Sequence, residues 1–176
     1  MMKKNKSLKI LAVLIPVILI GVMFYFFDSY KTKKTSAEQL QTIPAFSLKT
    51  IKGEIFTTNH LTTDHKKVLV YFSPNCHYCQ GEAEELSKIY AKYPDVQWVW
   101  IASEPLDEIK TFAEKYRLNQ QENIHWCHDE MATLYQKFAM SSVPFFLAYD
   151  KNSKQVFRNK GAVKLEKILK SFDEGK

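Results

Sequence analysis

The chain has 176 residues, which, with an apolar leader set aside, suffices for one hydrophobic core and not comfortably for two. A hydrophobic fraction of 45% and a charged fraction of 25% are those of a globular protein and exclude collagen-like, disulfide-dense and wholly disordered chains. Most of the net charge of +6 comes from Lys3, Lys4, Lys6 and Lys9, which no nearby acid balances, so the remainder is close to neutral and implies no nucleic-acid partner.

From Ile10 to Phe27 the chain carries no charge. At about 1.5 Å per residue such a helix approaches the roughly 30 Å of a hydrocarbon core, so the segment is expected to span a membrane. Lysines precede it, which places the N-terminus in the cytoplasm, although Lys31, Lys33 and Lys34 beyond the span reduce the asymmetry. A cleaved signal peptide would have a shorter apolar part followed by small residues, whereas Phe24-Tyr25-Phe26-Phe27-Asp28 follows here. With no cysteine near the N-terminus, a lipoprotein anchor is unsupported. The expected organisation is a cytoplasmic N-terminus over residues 1–9, a transmembrane anchor over 10–27, a polar linker over 28–42 and one domain over 43–176.

Within the domain, Phe46 to Thr50 and Glu54 to Thr57 flank Lys52-Gly53 and predict a short hairpin. Lys67 to Phe72 is a compact apolar run suited to a buried central strand. Ala83, Leu86, Ile89 and Tyr90 lie at helical spacing and predict a helix from about Cys76 to Tyr93. A strand over Val96 to Ala102 and a helix over Leu106 to Tyr116 follow. Beyond them the pattern gives a strand at Asn123 to Cys127, a helix at Glu130 to Phe138, strands at Phe145 to Tyr149 and Gln155 to Arg158, and a last helix at Lys164 to Phe172. Strands alternating with helices and ending in a hairpin indicate an α/β domain with a central mixed sheet flanked by helices.

The chemistry concentrates in Ser73-Pro74-Asn75-Cys76-His77-Tyr78-Cys79, where a strand ends and a helix begins. Two intervening residues at a helix start allow the sulfurs to meet, as a reversible disulfide requires. The helix N-terminus offers partial positive charge and unpaired N–H groups that favour the thiolate of the first cysteine, which makes Cys76 the expected nucleophile. Cys79, one turn further in, is the expected resolving thiol. His77 and Tyr78 are the positions that would tune the pair, His77 by adding positive charge; its alternative is a solvated imidazole.

With these residues in place the chain resembles the thioredoxin superfamily, and within it the membrane-anchored, extracytoplasmic branch of the TlpA and ResA proteins and the cytochrome c maturation thioredoxins, related to the AhpC/TSA redoxins. The resemblance runs from Ile43 to Phe172 and rests on three segments: Ile43-Pro44-Ala45-Phe46-Ser47-Leu48, the strand with its Cys-x-x-Cys, and Ser142-Val143-Pro144 ahead of a strand. It implies a thioredoxin-like fold with an N-terminal hairpin, Leu106 to Cys127 supplying the extra helix and strand of that branch. It also implies a cis Pro144 facing the redox pair, holding Val143 extended so that its backbone can pair with a substrate strand. Glu82, three residues after Cys79, matches a glutamate of this branch held to manage the active-site protons; its alternative is a solvated acid beside Glu84 and Glu85. Many thioredoxins carry a buried aspartate six residues before the first cysteine, where this chain has Val70, so proton handling shifts toward Glu82.

The implied activity is thiol–disulfide exchange with protein thiols and disulfides and with a redox partner protein, by a monomeric domain on the outer, periplasmic side of a bacterial cell membrane. No cofactor beyond the Cys76–Cys79 disulfide and no metal is expected. Two alternatives belong to other classes. Peroxiredoxins share the fold, and Ser73 fits their Pro-x-x-x-Thr/Ser-x-x-Cys pattern, but Leu69 stands where the proline belongs. A copper or zinc carrier would recruit Cys76, Cys79 and a distant ligand such as Cys127 or His128. Cys127 is otherwise expected to be a small buried hydrophobe, its alternatives being a regulatory disulfide or a metal ligand.

Overall fold

The computed structural model describes residues 14–25 and 41–174. It divides into two units, Met1–Gln39 and Leu40–Lys176. In the first, residues 14–25 form a helix whose apolar side chains are exposed. No helix among the described residues is long and apolar enough to cross a membrane. The ends of the expected anchor over 10–27, the N-terminus over 1–9 and most of the linker over 28–42 lie outside the described residues.

The second unit is one seven-stranded sheet with helices packed on it. In chain order its elements are β1 (Ser47–Thr50), β2 (Ile55–Thr57), β3 (Lys66–Tyr71), α1 (His77–Ile89), β4 (Val96–Ala102), α2 (Leu106–Lys115), β5 (Ile124–His128), α3 (Thr133–Lys137), β6 (Phe145–Tyr149), β7 (Gln155–Lys160) and α4 (Leu165–Glu174). The strand order is β2-β1-β5-β4-β3-β6-β7. β3, β4 and β5 run parallel, and β6 lies antiparallel beside β3. Pairing begins upstream of the expected domain start, because Thr42 bridges to Lys154 and Gln155 donates its N–H to the Gln41 carbonyl.

The strand period of two divides the apolar residues between two cores. Val68, Val70 and Phe72 of the β3 segment face one core with Trp98, Trp100 and Trp126, and this core receives the apolar faces of α1, α2 and α4. Leu69, Tyr71, Val99 and Ile101 face the other, under the N-terminal hairpin and α3. The parallel strands are therefore buried on both faces, which is why they appear in the sequence as continuous apolar runs.

Apart from β4 and β6 the elements differ from the expected spans, most by a residue or two, and three of the differences show their cause. The first long helix begins at His77, Cys76 being its N-cap in extended conformation, and it ends at Ile89 before a separate tight helical turn over Tyr90–Lys92. The helix expected over Glu130 to Phe138 shrinks to Thr133–Lys137, because Ala132 and Ala139 adopt left-handed backbone (φ 50° and 47°) and close it at both ends. β7 continues two residues past Arg158 to Lys160, where Gly161 at φ 84° turns the chain away from the sheet.

Candidate functional site

The redox motif sits where the parallel strands end. Phe72, the first residue after β3, is fully buried and donates its N–H to the Ile101 carbonyl at 2.9 Å. Its ring meets those of Trp100, Phe112 and Trp126 at centroid distances of 5.2, 4.9 and 5.5 Å. Burying such a ring contributes about 1.5–3 kcal/mol and leaves the following loop little freedom at its base. Ser73 then accepts the Cys76 N–H at 3.1 Å, and Cys76 accepts the Gln80 N–H at 3.0 Å as the helix opens. The Gln80 side chain reaches back to the Pro74 carbonyl at 3.0 Å.

This start presents the two sulfurs differently. Cys76 is half-buried and its thiol points at the Val143 carbonyl, with sulfur and oxygen 3.8 Å apart. Cys79 is fully buried, receives a hydrogen bond from the Ser73 backbone and lies within hydrogen-bonding reach of Cys76. Both are free thiols. Burial pushes the Cys79 thiol far above its ordinary range; the Ser73 N–H works against this, while Cys76 and the charge on Glu82 push it further. The Val143–Pro144 peptide is cis, with Pro144 buried and Val143 packed against both cores.

Glu82 lies on the buried side of α1 with 5% of its surface exposed. One carboxylate oxygen accepts the Val163 N–H at 2.7 Å, and the other, Oε2, is buried without a partner. Burial raises its pKa from 4.5 to about 7, the Val163 bond opposing and Glu85 reinforcing the shift. Glu85 accepts the Leu165 N–H at 3.1 Å, so two acids of α1 hold the segment that opens α4. Beside them a cleft of about 400 Å³ is lined by His77, Tyr78, Gly81, Glu82 and Val163. His77 and Tyr78 are exposed, Tyr78 at 64%.

The raised pKa of Glu82 has a measurable consequence for stability. The unfolded chain releases this proton near 4.5 and the folded chain near 7, so between those values the folded state binds more protons and folding weakens as pH rises. The full cost is present above about pH 7 and amounts to about 3 kcal/mol. Glu82→Gln keeps an amide oxygen for the Val163 N–H and removes the charge. Urea unfolding should find this variant more stable than the parent at pH 8 and the difference much smaller at pH 4.5. An equal difference at both values would show that the Glu82 proton is not linked to folding.

Val70 is fully buried among apolar side chains, and Cys127 is buried as well, its thiol pushed up to about 12 by burial. Cys127 faces the core under the hairpin, while Cys79 faces the other core, so the sheet stands between them. Among the described residues no three histidine, cysteine or acidic side chains are gathered as a metal would require, so Cys76, Cys79 and the distant Cys127 or His128 do not form a ligand set. The bonds of Glu82 to Val163 and of Glu85 to Leu165 left no trace in the sequence, because they join residues whose proximity only the fold creates.

One accessible and one buried thiol thus lie across from the cis Val143–Pro144 bond. Residues 40–169 match the AhpC/TSA family. The chain belongs to that family. Its fold is thioredoxin-like, and a structure of a secreted Mycobacterium tuberculosis disulfide oxidoreductase homologous to E. coli DsbE is similar at 24% identity and TM-score 0.63, covering 78% of this chain and 98% of that one. Peroxidoxin BcpB from the same organism aligns at 16% identity and TM-score 0.66, over 77% of this chain and 96% of its own. A putative thiol:disulfide interchange protein DsbE from Chlorobium tepidum aligns at 17% identity and TM-score 0.63, over 75% and 96%. No curated protein matches the sequence significantly. These similarities establish the fold of this AhpC/TSA member and leave its reaction to be argued from the site.

Proposed function

We propose that this AhpC/TSA member is a thiol–disulfide oxidoreductase that exchanges disulfides with proteins outside the cytoplasm while anchored by residues 10–27. The observation that carries the reading is the asymmetry of the pair: Cys76 is half-buried at the start of α1 and faces the Val143 carbonyl, whereas Cys79 is fully buried one turn on. In the reducing direction the Cys76 thiolate attacks a substrate disulfide, forms a mixed disulfide and releases one substrate thiolate. Cys79 then gives up its proton and attacks Cys76, which forms the Cys76–Cys79 disulfide and releases the second substrate thiolate. Two electrons pass from the dithiol to the substrate, and the reverse sequence oxidises a substrate dithiol. Val143 would offer its backbone to a substrate strand, since Pro144 has no N–H and its carbonyl accepts the Gly161 N–H at 2.8 Å, and exposed His77 and Tyr78 border the approach to Cys76. The test is stoichiometric reduction of a peptide disulfide by the reduced full-length chain in detergent; no thiol release would sink the proposal.

A thiol peroxidase is the second reading, favoured by the position of Ser73 and by the likeness to a peroxidoxin. Against it, Leu69 is fully buried in the core at the place of the peroxidatic proline. Turnover of hydrogen peroxide faster than that of the peptide disulfide would reverse the order of the two readings.

The membrane attachment rests on the uncharged run over 10–27 and on the exposed apolar helix over residues 14–25. In fractionated cells the full-length chain should stay with the membranes through alkaline carbonate. A membrane-impermeant thiol reagent added outside the inner membrane should label Cys76. Release of the intact chain would remove the anchor, and protection of Cys76 from the reagent would reverse its orientation.

A further inference from the structure

The segment that carries Val143 and Pro144 is preceded by α3, which has only five residues and cannot hold its own conformation. What holds it is a buried carboxylate outside the redox site. Asp129, 2% exposed, follows β5 directly and donates its N–H to the Ala102 carbonyl at 2.8 Å. Its Oδ1 accepts the Thr133 N–H at 2.9 Å, and its Oδ2 accepts those of Leu134 and Tyr135 at 2.8 and 3.3 Å. Three otherwise orphaned donors of the helix start are thus satisfied by one side chain.

The same Oδ2 accepts the Tyr71 hydroxyl at 3.2 Å. Tyr71 is the last residue of β3, two before Ser73, whose backbone holds the Cys79 sulfur. Its hydroxyl also meets Ser103, just past β4, and its ring tilts against Tyr135 of α3 with centroids 5.1 Å apart. At the far end of α3, Arg158 of β7 donates to the Phe138 and Ala139 carbonyls at 2.9 and 3.0 Å. Left-handed alanines at both ends of so short a helix are unfavourable and persist only where surrounding bonds over-determine them.

We infer that Asp129 is a positioning residue for disulfide exchange: through Tyr71 it ties the strand bearing the redox loop to the helix bearing the Val143–Pro144 loop, and so fixes the gap into which a substrate backbone fits. The inference rests on the proposed exchange activity. It differs from a purely structural role in one respect: substrates with a backbone to pair feel the gap, and a small disulfide that only needs Cys76 does not. Misplacement of about 1 Å in such an arrangement is enough for large losses.

The test compares a decapeptide disulfide with hydroxyethyl disulfide, each mixed with the pre-reduced full-length chain in detergent, the concentration dependence giving an apparent Kd and a limiting rate. Tyr71→Phe removes the link, and with it the hydroxyl's contact to Ser103, and should raise the apparent Kd for the peptide about 3- to 10-fold, with the limiting rate within about twofold and the hydroxyethyl disulfide rate unchanged. Asp129→Ala should show a larger rise in Kd, and Asp129→Asn, which keeps an acceptor for the helix donors, should recover most of it. If Asp129→Ala does not fold, judged by circular dichroism, Tyr71→Phe and Asp129→Asn decide alone. A peptide Kd within twofold of the parent in Tyr71→Phe, or equal losses on both disulfides, would overturn the inference. Failure of the parent chain to react with either disulfide would instead sink the exchange activity itself, and this inference with it.

Discussion

Replacing Cys79 with serine is expected to turn the chain into a trap: mixed disulfides through Cys76 should accumulate on non-reducing gels and disappear with reductant. Cys76 is half-buried with its sulfur directed toward the Val143 carbonyl, so it can meet a substrate sulfur; Cys79 has no exposed surface and can meet only Cys76. The first bond therefore forms without Cys79, and the step that clears it does not. A serine hydroxyl is too weak a nucleophile to resolve the intermediate, so turnover should fall by at least ~10³-fold, as when other essential nucleophiles are removed. Cys76→Ser should lose turnover to the same degree and trap almost nothing, because burial leaves Cys79 both inaccessible and protonated. Cys127→Ser should behave like the parent, since that thiol faces the opposite core. Equal trapping by the Cys76 and Cys79 variants would overturn the division of roles, and sustained peroxide turnover by Cys79→Ser would favour the peroxidase reading.

The local parts of this site were legible in the sequence. β4 and β6 follow from their apolar runs with the bounds the structure shows, because a strand buried on both faces is a near-continuous apolar run, Gln97 being the one polar residue in either. The position of Cys76 and Cys79 at a strand-to-helix junction needed only the spacing and the apolar runs on either side. What was not legible is long-range. The helical pattern over Glu130 to Phe138 gave no sign that Ala132 and Ala139 would adopt left-handed backbone, since nothing in alanine asks for it; Asp129, just upstream, holds the near end of the helix, and Arg158 reaches the far end from β7. Likewise Glu82, Glu84 and Glu85 look alike as a sequence. The fold separates them: Glu82 binds the Val163 N–H inside the protein, Glu85 binds that of Leu165, and Glu84 pairs on the surface with Lys88 at 2.7 Å.

Glu82→Gln is expected to slow the second half of the exchange, resolution of the mixed disulfide by Cys79, about 100-fold at neutral pH, while the first half stays near the parent rate. Burial keeps the Cys79 thiol protonated at any ordinary pH, so its attack requires a base beside it. Ser73 supplies an N–H that steadies the thiolate once formed but cannot take its proton. Glu82 lies one helical turn on, close enough for its charge to act on Cys79, and its Oε2 has no other partner. A carboxylate of pKa about 7 is half ionised at neutral pH, basic enough to accept the proton and acidic enough to release it afterwards. The assistance should therefore increase as pH rises through 7, where Glu82 ionises, and the variant should lack that inflection. At strongly alkaline pH Cys79 ionises unaided and the two proteins should converge. Because the same variant is expected to be more stable than the parent at pH 8, a slower resolution there cannot be attributed to unfolding. Stopped-flow measurement of the second thiol released, from pH 5 upward, decides the matter: identical rates and identical pH profiles in both proteins would mean that the proton of Cys79 leaves by another route.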